Sequence, residues 1–128
     1  MQVTLTREFS FDAAQALTVF PEGHKCRQLH GHSFTLQVSV EGEVDPQTGL
    51  LFDHAKIKEA AQPFVDALDH TYLNEIPGLE NPTIEIMCKW FWDRIKPVLP
   101  ELSEIMILET PRAWCRYRGQ RPVPCNGP

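Results

Sequence analysis

The sequence predicts an α+β domain, with two helices on one face of a four-stranded antiparallel sheet in the order ββααββ. Three patterns lead to this. Apolar and polar residues alternate over 3–13 and again over 30–40, the period of a half-buried strand. Apolar residues recur at helical spacing over 57–68 and 84–95. Two short apolar runs then follow at 103–109 and 113–118.

In the first strand Val3, Leu5, Phe9, Phe11 and Ala13 alternate with Thr4, Thr6, Glu8, Ser10 and Asp12, and Arg7 is the polar interruption. Successive side chains of a strand point to opposite faces, so Gln15 falls on the apolar side. The same parity groups His30 and His32 with Phe34, Leu36, Val38 and Val40. A long loop, 16–31, joins the pair, and loops of that length are functional or disordered; the residues in this one favour function. Glu41 to Gly49 reads as turn chemistry ending the second strand.

Asp53 is placed to cap a helix whose stripe is Ile57, Ala60, Ala61, Phe64, Val65 and Leu68. Pro63 lies inside it and removes one backbone hydrogen bond. Asp69 and His70 follow at its C-terminal end, where the dipole favours an imidazolium. After the turn at 76–79, Asn81 and Pro82 mark a second start, with Pro at the first helical position. Its buried face is Ile84, Met87, Cys88, Phe91 and Ile95, and Pro97 and Pro100 close it. The strands 103–109 and 113–118 are joined by a tight turn at Thr110-Pro-Arg112, and Glu109 is the polar end of an otherwise buried run. Residues 1–119 form a single domain in this reading, and 120–128 a loose tail.

At 128 residues there is room for one core. A hydrophobic content of 42 % and a charged content of 23 % are ordinary for a globular chain, and no apolar run approaches the ~18 residues of a membrane span. The first residues lack a basic start followed by an apolar stretch, so a cytoplasmic location is the expectation. A net charge of −5 argues against binding nucleic acid through a broad basic face. Only Arg112 to Arg118 is locally basic. The four cysteines, at 26, 88, 115 and 125, form no CxxC pair and read as thiols.

Residues 22–32 concentrate the chemistry, with His24, Cys26, His30 and His32 in one short run. His30 and His32 are two apart on a strand, so both imidazoles can reach one cation, although a catalytic zinc ordinarily takes three protein ligands. Cys26 lies near enough for a bound cation to favour its thiolate, which makes it a candidate acid/base or nucleophile. The sheet leaves two edges with little Lys or Pro to blunt them, so a homo-oligomer is expected.

Taken together, Cys26-x-x-x-His30-Gly-His32, the helix-end Asp69-His70, the helix start Asn81-Pro-Thr-x-Glu85 and Glu109 resemble the 6-pyruvoyltetrahydropterin synthase family. The short Cys-to-His spacing resembles its bacterial 6-carboxy-5,6,7,8-tetrahydropterin synthase branch, which serves queuosine biosynthesis. The resemblance implies a tunnel-type fold, in which sheets join into a barrel in a trimer and two trimers stack into a homo-hexamer with sites at subunit interfaces. It implies a zinc lyase acting on 7,8-dihydroneopterin triphosphate with release of triphosphate and acetaldehyde. His30 and His32 would be zinc ligands, Cys26 the base, Asp69 with His70 a proton relay, and Glu109 a further catalytic group relaying protons. Glu109, Thr83 and Glu85 would meet the substrate, Glu109 by accepting the adjacent N–H and NH₂ of the pterin in a bidentate pair. Lys25, Arg27 or the Arg112 to Arg118 group could meet the triphosphate.

The sequence departs from the family at one ligand. The family's first zinc histidine closes a Phe-x-Ala-Ala-His stretch, whereas Phe11-Asp-Ala-Ala-Gln15 ends on glutamine. Three arrangements stay open: Gln15 coordinates through its amide oxygen, His24 or a water takes the third position, or the metal is held weakly. The functions open to the chain are a 6-carboxy- or 6-pyruvoyl-type synthase, a pterin-binding relative with reduced activity, and a structural hexamer. The last leaves His30, His32, Asp69, His70 and Glu109 without a purpose. His54 is a second departure.

Overall fold

Alternation becomes strand almost from the first residue. β1 runs Gln2–Gln15 and β2 runs His30–Glu43, antiparallel, with Gln2 opposite Glu43 and Gln15 opposite His30. The computed structural model describes residues 1–120, so the expected tail, like Cys125, lies almost wholly outside the described residues. β2 continues past the expected stop, and the turn is confined to the segment after it, where Gly49 adopts φ +75° and donates to the Asp45 carbonyl (2.8 Å).

α1 (His54–Leu68) starts where Asp53 accepts from the Ala55 N–H, and it buries Ile57, Ala61, Val65 and Leu68 as the spacing predicts. It runs through Pro63. α2 (Ile84–Ile95) is capped by Thr83, whose hydroxyl accepts from the Ile86 N–H at 3.2 Å. That corrects the expected start: Thr83, two residues after Asn81, is the cap, and Pro82 precedes the helix. Trp90 joins the expected buried face and donates its indole N–H to the Pro77 carbonyl (3.2 Å).

The four-stranded antiparallel sheet needs correction too. β4 (Leu102–Thr110) pairs with β2, and β5 (Ala113–Tyr117) pairs with β4, both antiparallel as expected. A further strand, β3 (Thr71–Tyr72), pairs parallel to β1 at Ala13 and Ala14, making a mixed five-stranded sheet in the order β3-β1-β2-β4-β5. Two residues are too short to carry any periodicity, which is why no pattern in the chain announces them.

The helices cover one face. Phe9, Phe11, Phe34, Leu36, Val38, Ile105 and Ile107 of the sheet are buried there with the stripes of α1 and α2. The opposite face carries Thr6, Gln37, Ser39, Glu104 and Arg116, with Thr6 and Ser39 hydroxyls 2.7 Å apart. Arg7 has the apolar parity but lies at the end of the core, where its guanidinium donates to His54 Nδ1 (3.0 Å) and the His54 carbonyl (3.4 Å). This accounts for His54, whose ring and carbonyl both receive a strand cation. Cys88 is in the core as expected, and burial pushes its thiol pKa up. Among the described residues no helix is long and apolar enough to cross a membrane.

Candidate active site

Strand register builds the site. Gln15 faces His30 across β1 and β2, and His32, two residues on, shares their side. On the other flank of β2 the pairs Leu36↔Ile107 and Thr35↔Leu108 carry the next residue of β4, Glu109, beside Phe34 and diagonal to His32. Ile105 and Ile107 point into the core, so Glu109 points the same way at the strand end. The donor atoms of His30, His32 and Glu109 all fall within 4.8 Å of one another.

Hydrogen bonds fix how these groups present themselves. His30 Nδ1 lies 2.6 Å from the Gln28 carbonyl, and only a protonated Nδ1 can bond there, which leaves Nε2 with its lone pair. His32 Nε2 and Glu109 Oε1 are 3.2 Å apart, each group about a quarter exposed (27 % and 24 %), so the pair is only partly screened. Gln15 is buried and donates its amide N–H to the same Oε1 at 3.1 Å. Its own Oε1 is buried with no partner among the described residues.

This donor set fits a divalent cation. Two imidazoles and a carboxylate are one of the usual protein sets for catalytic zinc, leaving a position open. The His32 to Glu109 separation of 3.2 Å matches the ligand-to-ligand edge of a four-coordinate ion with bonds of about 2.0–2.1 Å, roughly 3.3 Å. His30 carries the carbonyl partner that commonly orients a ligating imidazole.

His24 is not part of this group. Its Nδ1 accepts from the Cys26 N–H at 3.0 Å, and its ring stacks on Phe20 with centroids 4.2 Å apart. Cys26 sits half-buried on a 3₁₀ turn, Lys25–Arg27, outside the three-donor cluster. The turn is ordered: the Leu17 N–H donates to the Cys26 carbonyl (2.8 Å), and Arg27 donates to the carbonyls of Thr18 (2.6 Å) and Phe20 (2.9 Å). Arg27 is thereby spent on the loop. Arg118 and Arg116 lie 2.6 and 3.6 Å from Glu104 and belong to the sheet face away from the helices. Arg27, Arg116 and Arg118 thus already have partners within the chain. Glu85 is exposed on α2, and the hydroxyl of Thr83 is occupied as a cap.

Asp69 and His70 form a second cluster with Asp12, which the sequence reading missed because Asp12 faces away from Gln15. Asp69 accepts from the Asp12 N–H (2.9 Å) and pairs with His70 Nδ1 (3.0 Å), and the His70 N–H returns to the Asp12 carbonyl (2.6 Å). His70 adopts φ +60°, an uncommon conformation for a residue with a Cβ, and these three bonds hold it there. A cleft of about 550 Å³, whose lining includes Asp12, His32, Ser33, His70 and Tyr72, connects this cluster to His32. Glu109 borders a second cleft of about 300 Å³.

The Asp12 N–H, and then His70, hold the Asp69 carboxyl below the usual carboxylate range. A depressed value means that the clamp's contribution is complete above the range of a free carboxylate and is lost as pH falls through the lower folded value, below about pH 4. A carboxyl-carbon NMR titration of Asp69 is expected to show a midpoint below that of free aspartate. A midpoint at or above it would contradict the clamp.

A mixed sheet backed by two helices, with imidazoles and a carboxylate gathered where its strands end, defines a small α+β domain built around a cation-capable cleft. The chain belongs to the 6-pyruvoyl tetrahydropterin synthase family, whose profile matches residues 4–120. It is 39 % identical over 124 residues to the 6-carboxy-5,6,7,8-tetrahydropterin synthase of Synechocystis, covering 92 % of this chain and 95 % of that one. It is 38 % identical over 100 residues to the dihydroneopterin monophosphate aldolase of Pyrococcus furiosus, covering 78 % and 81 %. The structure superposes on 6-pyruvoyl tetrahydropterin synthase of Caenorhabditis elegans with a TM-score of 0.84 at 29 % identity, covering 94 % and 97 %.

Proposed function

We propose that the protein is a tetrahydropterin synthase of the 6-carboxy type, a zinc-dependent lyase that converts 7,8-dihydroneopterin triphosphate to 6-carboxy-5,6,7,8-tetrahydropterin, releasing acetaldehyde and triphosphate. The observation that carries this reading is the convergence of His30, His32 and Glu109 beside clefts, in a chain that matches the family over nearly its whole described length. The 39 % identity to a relative of that name favours the 6-carboxy activity, within queuosine biosynthesis, over the 6-pyruvoyl one.

His30 and His32 would hold a zinc ion, which would supply Lewis-acid chemistry that acidifies the C–H beside the substrate's side-chain oxygens. Cys26 takes the proton, and His70, kept in one tautomer by Asp69, passes protons to and from the substrate. Glu109 presents an anionic acceptor to the N–H and NH₂ edge of the flat ring, and Thr83 and Glu85 also meet the substrate. In this reading the protein works as a homo-hexamer of two trimers, with the sheets joined into a barrel in each.

Incubation of the purified protein with 7,8-dihydroneopterin triphosphate is expected to yield acetaldehyde and triphosphate in equal amounts, together with the 6-carboxy product. Formation of the 6-pyruvoyl product instead would overturn the branch assignment. A second reading, a pterin binder with little turnover, is favoured by one contact: Gln15 turns its amide nitrogen, which cannot coordinate, toward Glu109. Tight pterin binding without product would establish it.

A further inference from the structure

We propose that Glu109 is itself the third protein ligand of the cation, and that Gln15 is the residue that holds it in place. This rests on the reading above for the presence of a cation, and it changes which residues bind it.

The argument begins with the amide. Gln15 is 1 % exposed and faces His30, the position from which a third imidazole would complete the set. Which end of an amide points where is decided by its partners, and here the partner is a carboxylate, which when ionised can only accept. Turning the amide over would put two acceptor oxygens 3.1 Å apart. The amide therefore gives its N–H to Glu109 Oε1 and leaves its own oxygen without a partner among the described residues. While Glu109 is ionised, Gln15 braces it through this N–H.

The carboxylate then stands where the missing donor is needed. Oε1 lies 3.2 Å from His32 Nε2, and Glu109 shares with both imidazoles a space in which all three donor atoms are within 4.8 Å. Oε2 has no hydrogen-bond partner among the described residues and stays available to a ring N–H. Glu109 can thus serve both the cation and the pterin, one oxygen to each. An oxygen in place of a nitrogen also widens the range of metals: two imidazoles and a carboxylate suit zinc, and with open positions the same set holds iron(II).

Metal affinity, measured on the whole protein by competition with a chromophoric chelator, tests this without reference to turnover, using zinc and, as a coloured probe, cobalt(II). Glu109→Gln keeps the shape and removes the anionic ligand. It is expected to weaken both metals by about 100-fold or more, since even partners behind the ligands are worth roughly 10- to 100-fold. Gln15→Leu is expected to weaken them about 10-fold through the lost brace. The double variant Gln15→His with Glu109→Gln is expected to return to within about 10-fold of the parent, because an imidazole resupplies the third donor. Where Glu109→Gln does not fold, by circular dichroism, Glu109→Asp takes its place and is expected to weaken binding through the shortened reach. Zinc and cobalt affinities unchanged in the Glu109 variant, with pterin binding lost, would overturn the inference and leave the proposed function standing. Affinities unchanged in His30→Ala and His32→Ala as well would overturn both.

Discussion

Replacing Cys26 by alanine is expected to lower turnover of dihydroneopterin triphosphate by about 1,000-fold while the protein stays folded. General acid–base groups contribute roughly 10²- to 10⁴-fold, and the loss of the proposed base falls in the middle of that range. The fold should tolerate the change because the turn is held by main-chain atoms. The Cys26 N–H donates to His24 Nδ1, and its carbonyl accepts from the Leu17 N–H. Alanine keeps both. Steady-state kinetics beside a thermal unfolding curve separate the two effects. Turnover within a few-fold of the parent would remove Cys26 from the mechanism, and the base would have to be sought elsewhere in the cleft.

Phe34→Ala is the second large effect, on stability. Phe34 is fully buried at the centre of the sheet, stacked on Phe11 with centroids 5.2 Å apart and met by the His32 ring at 5.7 Å. Truncating a buried phenylalanine costs about 3–5 kcal/mol, through lost transfer free energy and the cavity left behind. The same change takes away the wall against which His32 is set. Urea unfolding at fixed protein concentration is expected to show a lower midpoint with little change in slope. A loss below about 1 kcal/mol would mean that the core collapses to fill the space, and that His32 is oriented by Glu109 alone.

Much of the site is legible in the chain because a strand has a period of two. That rule alone places Gln15, His30 and His32 on the side of the core residues, and it needs only neighbours in sequence. The helix stripes, the cap at Asp53 and the buried Cys88 are legible for the same reason: each follows from residues within a few turns of one another. The start of α2 is not legible locally because Asn81, Pro82 and Thr83 carry competing signals, and only the hydroxyl bond to Ile86 decides among them.

Contacts that join distant segments escape this logic. Glu109 meets Gln15 across 94 positions of sequence, through two strand registers that no local pattern specifies. Asp12 meets Asp69 across 57, and the two-residue strand β3 exists only because the chain after α1 returns beside β1. His24 looks like a spare ligand in the sequence and His54 like an unexplained departure, and each is occupied by a neighbour, Cys26 in one case and Arg7 in the other. By itself the sequence determined which residues share a face, since the geometry of one strand or helix is local. The tertiary structure alone decided which faces meet and which way a buried amide turns, since both depend on partners that folding brings from the far end of the chain.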